Sequence, residues 1–118
     1  PPPSRFVRAA YLNYFAYQPD GSDDGVQLMA HLLNNVDIPK GVSRMTAGDK
    51  VVSDYTQWVN LKDLENNRMK IASYSSRTNY IEIDLNQVFK SGRSMTWVVD
   101  ELPYPNNDLT SQLLEQSL

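Results

Sequence analysis

Residues 33–42 read LNNVDIPKGV, and they divide the chain into a helical part before them and a strand-rich part after them. The apolar side chains around the start of this stretch recur every three or four residues, which is typical of an amphipathic helix: Val26, Met29, Ala30, Leu32, Leu33 and Val36. The asparagine pair and the Pro-Lys-Gly triplet then end the helical pattern. We predict a helix over residues 25–35, with Ser22 or Asp23 as its N-cap.

A second helical signal lies nearer the amino end, where residues 4–10 read SRFVRAA. Ser4 follows prolines and can accept hydrogen bonds from the free amides of a first helical turn. Phe6, Ala9, Ala10 and Tyr14 recur at helical spacing. These features predict a helix over residues 5–14, followed by a turn-rich loop at residues 18–22.

The remaining residues carry mainly strand signals. β-Branched and aromatic residues predict strands over residues 51–61, 68–74, 80–85 and 94–99, with a turn at residues 64–67. Residues 80–85, YIEIDL, alternate with a period of two, which indicates one buried face. Residues 109–118 have the pattern of a short terminal helix, or of a frayed end.

Two helices followed by antiparallel strands predict an α+β fold in which the helices pack on the sheet. A length of 118 residues corresponds to a single domain, residues 1–118. Pro103 and Pro105 interrupt regular structure. We therefore expect residues 101–118 to form a loosely packed tail.

Composition excludes several classes of site and partner. The chain has no cysteine and one histidine, His31, so it holds no disulfide, thiolate metal site or histidine cluster, and we expect no metal and no cofactor. The net charge is −3 and the eleven basic residues are scattered, which argues against a nucleic-acid partner. No apolar run approaches the ~20 residues of a membrane span, so we expect no membrane partner.

Several runs in fixed order carry a family resemblance: SRFVRAA at residues 4–10, LNNVDIPKGV at residues 33–42, DYTQW at residues 54–58 and IDL at residues 83–85. Together they resemble the choloylglycine hydrolase and penicillin V acylase family, and most closely its branch from Gram-negative bacteria. The resemblance covers about two-thirds of the chain. It implies an N-terminal-nucleophile hydrolase with an αββα sandwich, of which this chain forms the C-terminal portion.

Such an enzyme hydrolyses linear amides through an N-terminal cysteine whose own amine is the base. Because this chain starts at Pro1 and has no cysteine, we expect it to be inactive alone, as a fragment or subunit. The resemblance implies two partners, the remainder of the hydrolase chain and a small-molecule amide, and a homo-oligomeric parent in the bacterial periplasm rather than the cytoplasm. Conjugated bile salts, phenoxyacyl penicillins and N-acyl homoserine lactones remain open as substrates, and no substrate-binding residue is assigned. The alternative is a non-catalytic binding or structural remnant of the fold.

One catalytic residue of the family, an arginine in an Arg-Thr-Tyr triplet, should fall inside this chain. Counting forward from residues 56–58 places it at Ala72, whereas counting back from residues 83–85 places it at Ser73. Arg77-Thr78 repeats the dipeptide a few residues later. A shift of four residues moves a side chain by ~13 Å along a strand. Arg77 is therefore the catalytic candidate if the strand is re-registered, and we favour the reading in which the arginine is lost.

Other residues admit both a structural and a functional interpretation. The aromatic side chains form either core or the wall of an acyl pocket: Tyr55, Trp58, Tyr74, Tyr80 and Trp97. The charged and polar candidates have simpler structural roles on helix surfaces, in caps and at strand ends, which we favour over anion, metal or acid–base chemistry: Arg5, Arg8, Asp20, Asp23, Asp24, His31, Glu82 and Asp84.

Overall fold

The computed structural model describes residues 2–116 and has the predicted α+β composition. In chain order the elements are α1 (Pro2–Phe15), α2 (Ser22–Asn34), β1 (Ser43–Ala47), β2 (Lys50–Asp54), β3 (Trp58–Asp63), β4 (Arg68–Ser73), β5 (Ile81–Asp84), α3 (Leu85–Ser91), a 3₁₀ turn (Val99–Glu101) and α4 (Thr110–Glu115). The strands form two antiparallel sheets, a β1–β2 hairpin and a three-stranded sheet in the order β3-β4-β5.

The register of the larger sheet determines which side chains share a face. Trp58 pairs with Ser73 and Val59 with Ala72, and the pairing continues to Asp63 opposite Arg68. Because successive side chains of a strand point to opposite faces, paired residues lie on the same face. One face therefore carries the alternate residues of β3 and β4 with their β5 partners: Val59, Leu61, Asp63, Arg68, Lys70, Ala72, Glu82 and Asp84.

This face packs against α2. Val26 and Met29 of the helix lie beside Leu61 of β3, and Val59, Leu61 and Ala72 are buried. The second face of the sheet contributes Ile71 and Ser73 to the buried set. The core is therefore a thin layer centred on β3 and β4.

A polar cluster fixes the start of α2 to the β3–β4 turn. Asp63 accepts a hydrogen bond from the Ser22 hydroxyl and one from the Asn66 backbone N–H at 3.1 Å. Arg68 donates to the Asp23 carboxylate at 2.8 Å and lies 3.9 Å from Asp63. The hydrogen bond from Ser22, followed by those from Asn66, lowers the pKa of Asp63 from 3.8 to about 2.

Much apolar surface lies outside this core. Phe6 and Tyr14 of α1 are 75% and 81% exposed, and Trp58 on the second face of the sheet is 54% exposed. The radius of gyration is 18.1 Å, whereas a compact domain of this length has a value of about 13–14 Å. The fold is thus consistent with part of an N-terminal-nucleophile hydrolase sandwich.

The helix caps differ from those expected. α1 starts at Pro2, so Ser4 lies inside its first turn and is not the N-cap. α2 starts at Ser22, and its N-cap is Gly21, which makes no side-chain cap. Gly21 has φ of 88°, a conformation that disfavours a side chain. Asp23 instead occupies the first turn, where a carboxylate interacts favourably with the helix dipole.

The strand predictions were correct for β4 and β5 and wrong in two places. The strand predicted over residues 51–61 is divided into β2 and β3, because Thr56 turns away to bond with Ile38. The strand predicted over residues 94–99 is absent from the described chain, where residues 94–98 are irregular and the 3₁₀ turn begins at Val99. α3 and β1 were not predicted.

The predicted helix at residues 109–118 is confirmed over Thr110–Glu115, and its last two residues lie outside the described part of the chain. No helix within residues 2–116 is both long and apolar enough to cross a membrane.

Asp63→Asn should lower the melting temperature at neutral pH. It should also make the melting temperature fall less as the pH is lowered. A lowered folded-state pKa stabilises the fold above the ordinary value of 3.8, and this contribution is lost as pH falls through about 2. Circular dichroism melts across this range check the expectation. Asp49→Asn in the β1–β2 turn is the matched control, and equal acid sensitivity of wild type and Asp63→Asn would contradict the assignment.

Candidate functional site

The register of β3 and β4 decides where the expected arginine position lies. Ala72 pairs with Val59 on the face that packs against α2, and Ser73 pairs with Trp58 on the opposite face. Both side chains are fully buried. The Ser73 hydroxyl accepts a hydrogen bond from the Ser76 backbone N–H at 3.2 Å. Because the Ala72 side chain is fully buried, an arginine at residue 72 would have to displace its neighbours, so this strand is built around a small side chain.

Arg77 lies in the loop between β4 and β5, beyond the strand end. Its guanidinium donates hydrogen bonds to the Asn34 side-chain oxygen and to the Tyr80 hydroxyl. Its Nε atom lies 3.8 Å from the Asp37 carboxylate, and the side chain is 20% exposed. Arg77 therefore joins its own loop to the segment that follows α2.

This cluster contains polar atoms that the described chain leaves unsatisfied. Arg77 Nε and Asp37 Oδ1 are buried and have no hydrogen-bond partner within residues 2–116. Sequence reasoning singled out Arg77 but not Asn34 or Asp37 as its partners. The signal was present in residues 33–42, because that run contains both partners in a segment that must leave the helix.

Three of the five aromatic side chains that were predicted to form either core or a pocket wall line one cavity. Tyr55 and Tyr74 meet edge to face with ring centroids 5.1 Å apart. With Trp58 they line a cavity of about 220 Å³, whereas Tyr80 stacks under Arg77 at 5.5 Å and Trp97 does not line this cavity. Lys40, which sequence reasoning did not single out, also lines it.

Most of the other candidates have structural roles. Arg8 donates to the Asn35 carbonyl at 2.9 Å and thus joins α1 to the end of α2. Asp84 is the N-cap of α3 and accepts from the Asn86 backbone N–H at 2.9 Å, as expected for a residue that ends a strand. Glu82 lies 3.7 Å from Arg68.

The remaining acidic and histidine candidates show no ligand-like arrangement. Asp24 accepts from the Asp20 backbone N–H at 2.8 Å in the loop before α2. His31 lies in the last turn of α2. Across the described residues, no three His, Asp or Glu side chains cluster in a way that could hold a metal ion.

A model of linear amide C–N hydrolases of the choloylglycine hydrolase family matches residues 1–92. The chain belongs to the choloylglycine hydrolase family. The match covers α1 through α3. It includes the Arg77 loop and the cavity-lining residues from Lys40 to Ser75. A search of curated proteins finds no match to the chain.

Membership of the choloylglycine hydrolase family confirms the resemblance read from the sequence and explains the combination of motifs. Three runs carried that resemblance: residues 4–10 lie in α1, residues 33–42 include the end of α2 and the segment after it, and residues 54–58 lead into β3. Arg8 of the first run donates to Asn35 of the second, and Arg77 donates to Asn34 of the second. These residues position backbone elements, and none of the 118 residues is a cysteine. The chain therefore contains no thiol nucleophile.

Replacing Arg77 with glutamine should destabilise the chain by about 2 kcal/mol, because hydrogen bonds from a charged donor contribute about 1.5–3 kcal/mol. Hydrogen exchange of residues 74–80 should accelerate more than that of β4, since the loop loses its connection to Asn34. Arg93→Gln is the matched control, because Arg93 forms no side-chain hydrogen bond among the described residues. Unchanged exchange in the loop would show that Arg77 does not hold it.

Proposed function

We propose that this chain is the C-terminal portion of a linear amide hydrolase that acts through a cysteine located outside these 118 residues. The observation that carries the proposal is the match to the choloylglycine hydrolase family in a chain that has no cysteine. The proposal assigns α1, α2 and the β3-β4-β5 sheet to one helix layer and one sheet layer of an αββα sandwich.

The incompletely covered sheet supports this assignment. On the face away from α2, Met69, Ile81 and Ile83 are only half-buried. A four-layer sandwich buries both faces of each sheet, whereas an isolated two-layer unit leaves one face in water. We propose that the remainder of the hydrolase chain covers the part of this face that Met69, Ile81 and Ile83 form, and that the intact protein is a homo-oligomer.

The proposed reaction is hydrolysis of a linear amide in two steps. The cysteine sulfur attacks the amide carbonyl carbon, the C–N bond breaks, and the amine leaves with the thiol proton relayed through the cysteine's own amine. Water then cleaves the thioester, which releases the carboxylic acid and restores the thiol. Conjugated bile salts, phenoxyacyl penicillins and N-acyl homoserine lactones are the proposed substrate classes, and the bacterial periplasm is the proposed compartment, over the cytoplasm.

The position of Arg77 supports a second candidate, a non-catalytic binding or structural remnant of the same fold. The guanidinium that would have to reach a substrate is bound to Asn34 and Tyr80 instead. The strand positions where the family places its arginine hold Ala72 and Ser73, both fully buried. If the arginine is indispensable, this protein retains the fold without the activity.

The purified 118-residue chain should not turn over chromogenic linear amides, because the reaction needs a thiol. The longer natural protein that contains this chain should hydrolyse at least one of the three substrate classes, and iodoacetamide should abolish that activity. Release of the chromophore measures both.

The outcomes separate the candidates. Turnover by the 118-residue chain alone would contradict the requirement for an external cysteine. A longer protein that starts with a cysteine but cleaves none of the panel would support the remnant.

A further inference from the structure

Hydrogen bonds hold the segment after α2, which contains Lys40, against Thr56 and Tyr74. The Thr56 backbone N–H donates to the Ile38 carbonyl at 3.0 Å, and the Ile38 N–H donates to the Thr56 hydroxyl at 2.9 Å. The Lys40 N–H donates to the Tyr74 hydroxyl at 3.1 Å. These bonds join three separate parts of the chain, so the Lys40 backbone is constrained on both sides.

The Lys40 ammonium group has no counter-ion among the residues that the structure describes. Its Nζ atom lies 4.6 Å from the centroid of the Tyr55 ring and 4.8 Å from that of Tyr74, which are cation–π distances. No ion pair to Lys40 occurs among residues 2–116. The aromatic rings therefore hold the ammonium in position without neutralising its charge.

Asp100, an exposed residue, also lines the cavity that Lys40 lines. Val98, Val99 and Asp100 form its other wall, and Tyr104 holds the 3₁₀ turn by donating to the Val99 carbonyl at 2.8 Å. Asp100 has neither an ion pair nor a side-chain hydrogen bond within the described chain. One cavity of about 220 Å³ is thus lined by an aromatic surface and by a lysine and an aspartate that form no ion pair within residues 2–116.

We propose that this cavity binds a small zwitterion, an α-amino acid with an aromatic side chain. Its carboxylate would bind Lys40, its ammonium would bind Asp100, and its ring would stack on Trp58, which is 54% exposed. The volume is below the 300–1,000 Å³ of drug-sized pockets, which limits the ligand to a single small molecule. The proposal uses no thiol and does not depend on amide hydrolysis.

Charge complementarity favours a zwitterion over a singly charged ligand. A simple anion would pair with Lys40 but would be repelled by Asp100. A simple amine would pair with Asp100 but would be repelled by Lys40. Only a ligand that carries both charges leaves neither protein group unpaired. The polar side chains of Gln57 and Ser75 line the same cavity and supply additional hydrogen-bonding groups.

The test is an NMR titration of the isotope-labelled 118-residue chain with L-phenylalanine, N-acetyl-L-phenylalanine and phenethylamine. The zwitterion should bind at least about tenfold more tightly than either singly charged analogue, the change expected from one lost charge-assisted contact. Lys40→Met and Asp100→Asn should each weaken L-phenylalanine binding by a similar factor. Lys90→Met and Glu101→Gln, outside the cavity, should leave it unchanged.

A conservative variant separates binding from folding. Lys40→Arg keeps the positive charge and the ring contacts, so it should retain most of the affinity that Lys40→Met loses, while circular dichroism reports whether each variant is folded. Absence of L-phenylalanine binding to the folded wild type would overturn the proposal. Equal affinity for all three compounds, or binding that Asp100→Asn leaves intact, would overturn it as well.

Discussion

The antiparallel register between β3 and β4 is the constraint on which the rest of the structure depends. It places Val59 opposite Ala72 and Asp63 opposite Arg68, so one face of the sheet is apolar at its centre and charged at its turn end. α2 follows this division, because its apolar side chains lie over Leu61 while Ser22 bonds to Asp63. A slip of one residue would exchange the two faces and remove both contacts.

The same register organises the opposite end of the sheet. Pairing ends at Trp58 and Ser73, and the Tyr74 backbone N–H extends it by donating to the Gln57 carbonyl at 2.8 Å. The chain then leaves the sheet into the loop that carries Arg77. The arginine contacts and the aromatic cavity are therefore built at the strand ends, outside the buried layer.

The sequence predicted elements whose patterns reflect burial and missed those formed by local hydrogen bonds. Residues 80–85 were recognised from their alternation, whereas β1 exposes most of its side chains, carries no such pattern and was not predicted. α3 could have been predicted, because Asp84 and Gln87 form a capping pair and Gly92 ends the helix with φ of 63°. Residues 94–99 have strand-forming side chains but pair with no strand, and strand propensity depends on such pairing.

Hydrogen exchange of the isolated 118-residue chain tests whether the paired strands β3 and β4 are its most stable part, because protection reports which hydrogen bonds open last. We expect the slowest amide exchange in the paired segments around Leu61 and Ile71. Exchange should be much faster in α1 and in the β1–β2 hairpin, which lack a buried face. Equal protection of α1, of the hairpin and of β3–β4 would contradict it, since the chain would then be a complete and uniformly packed domain.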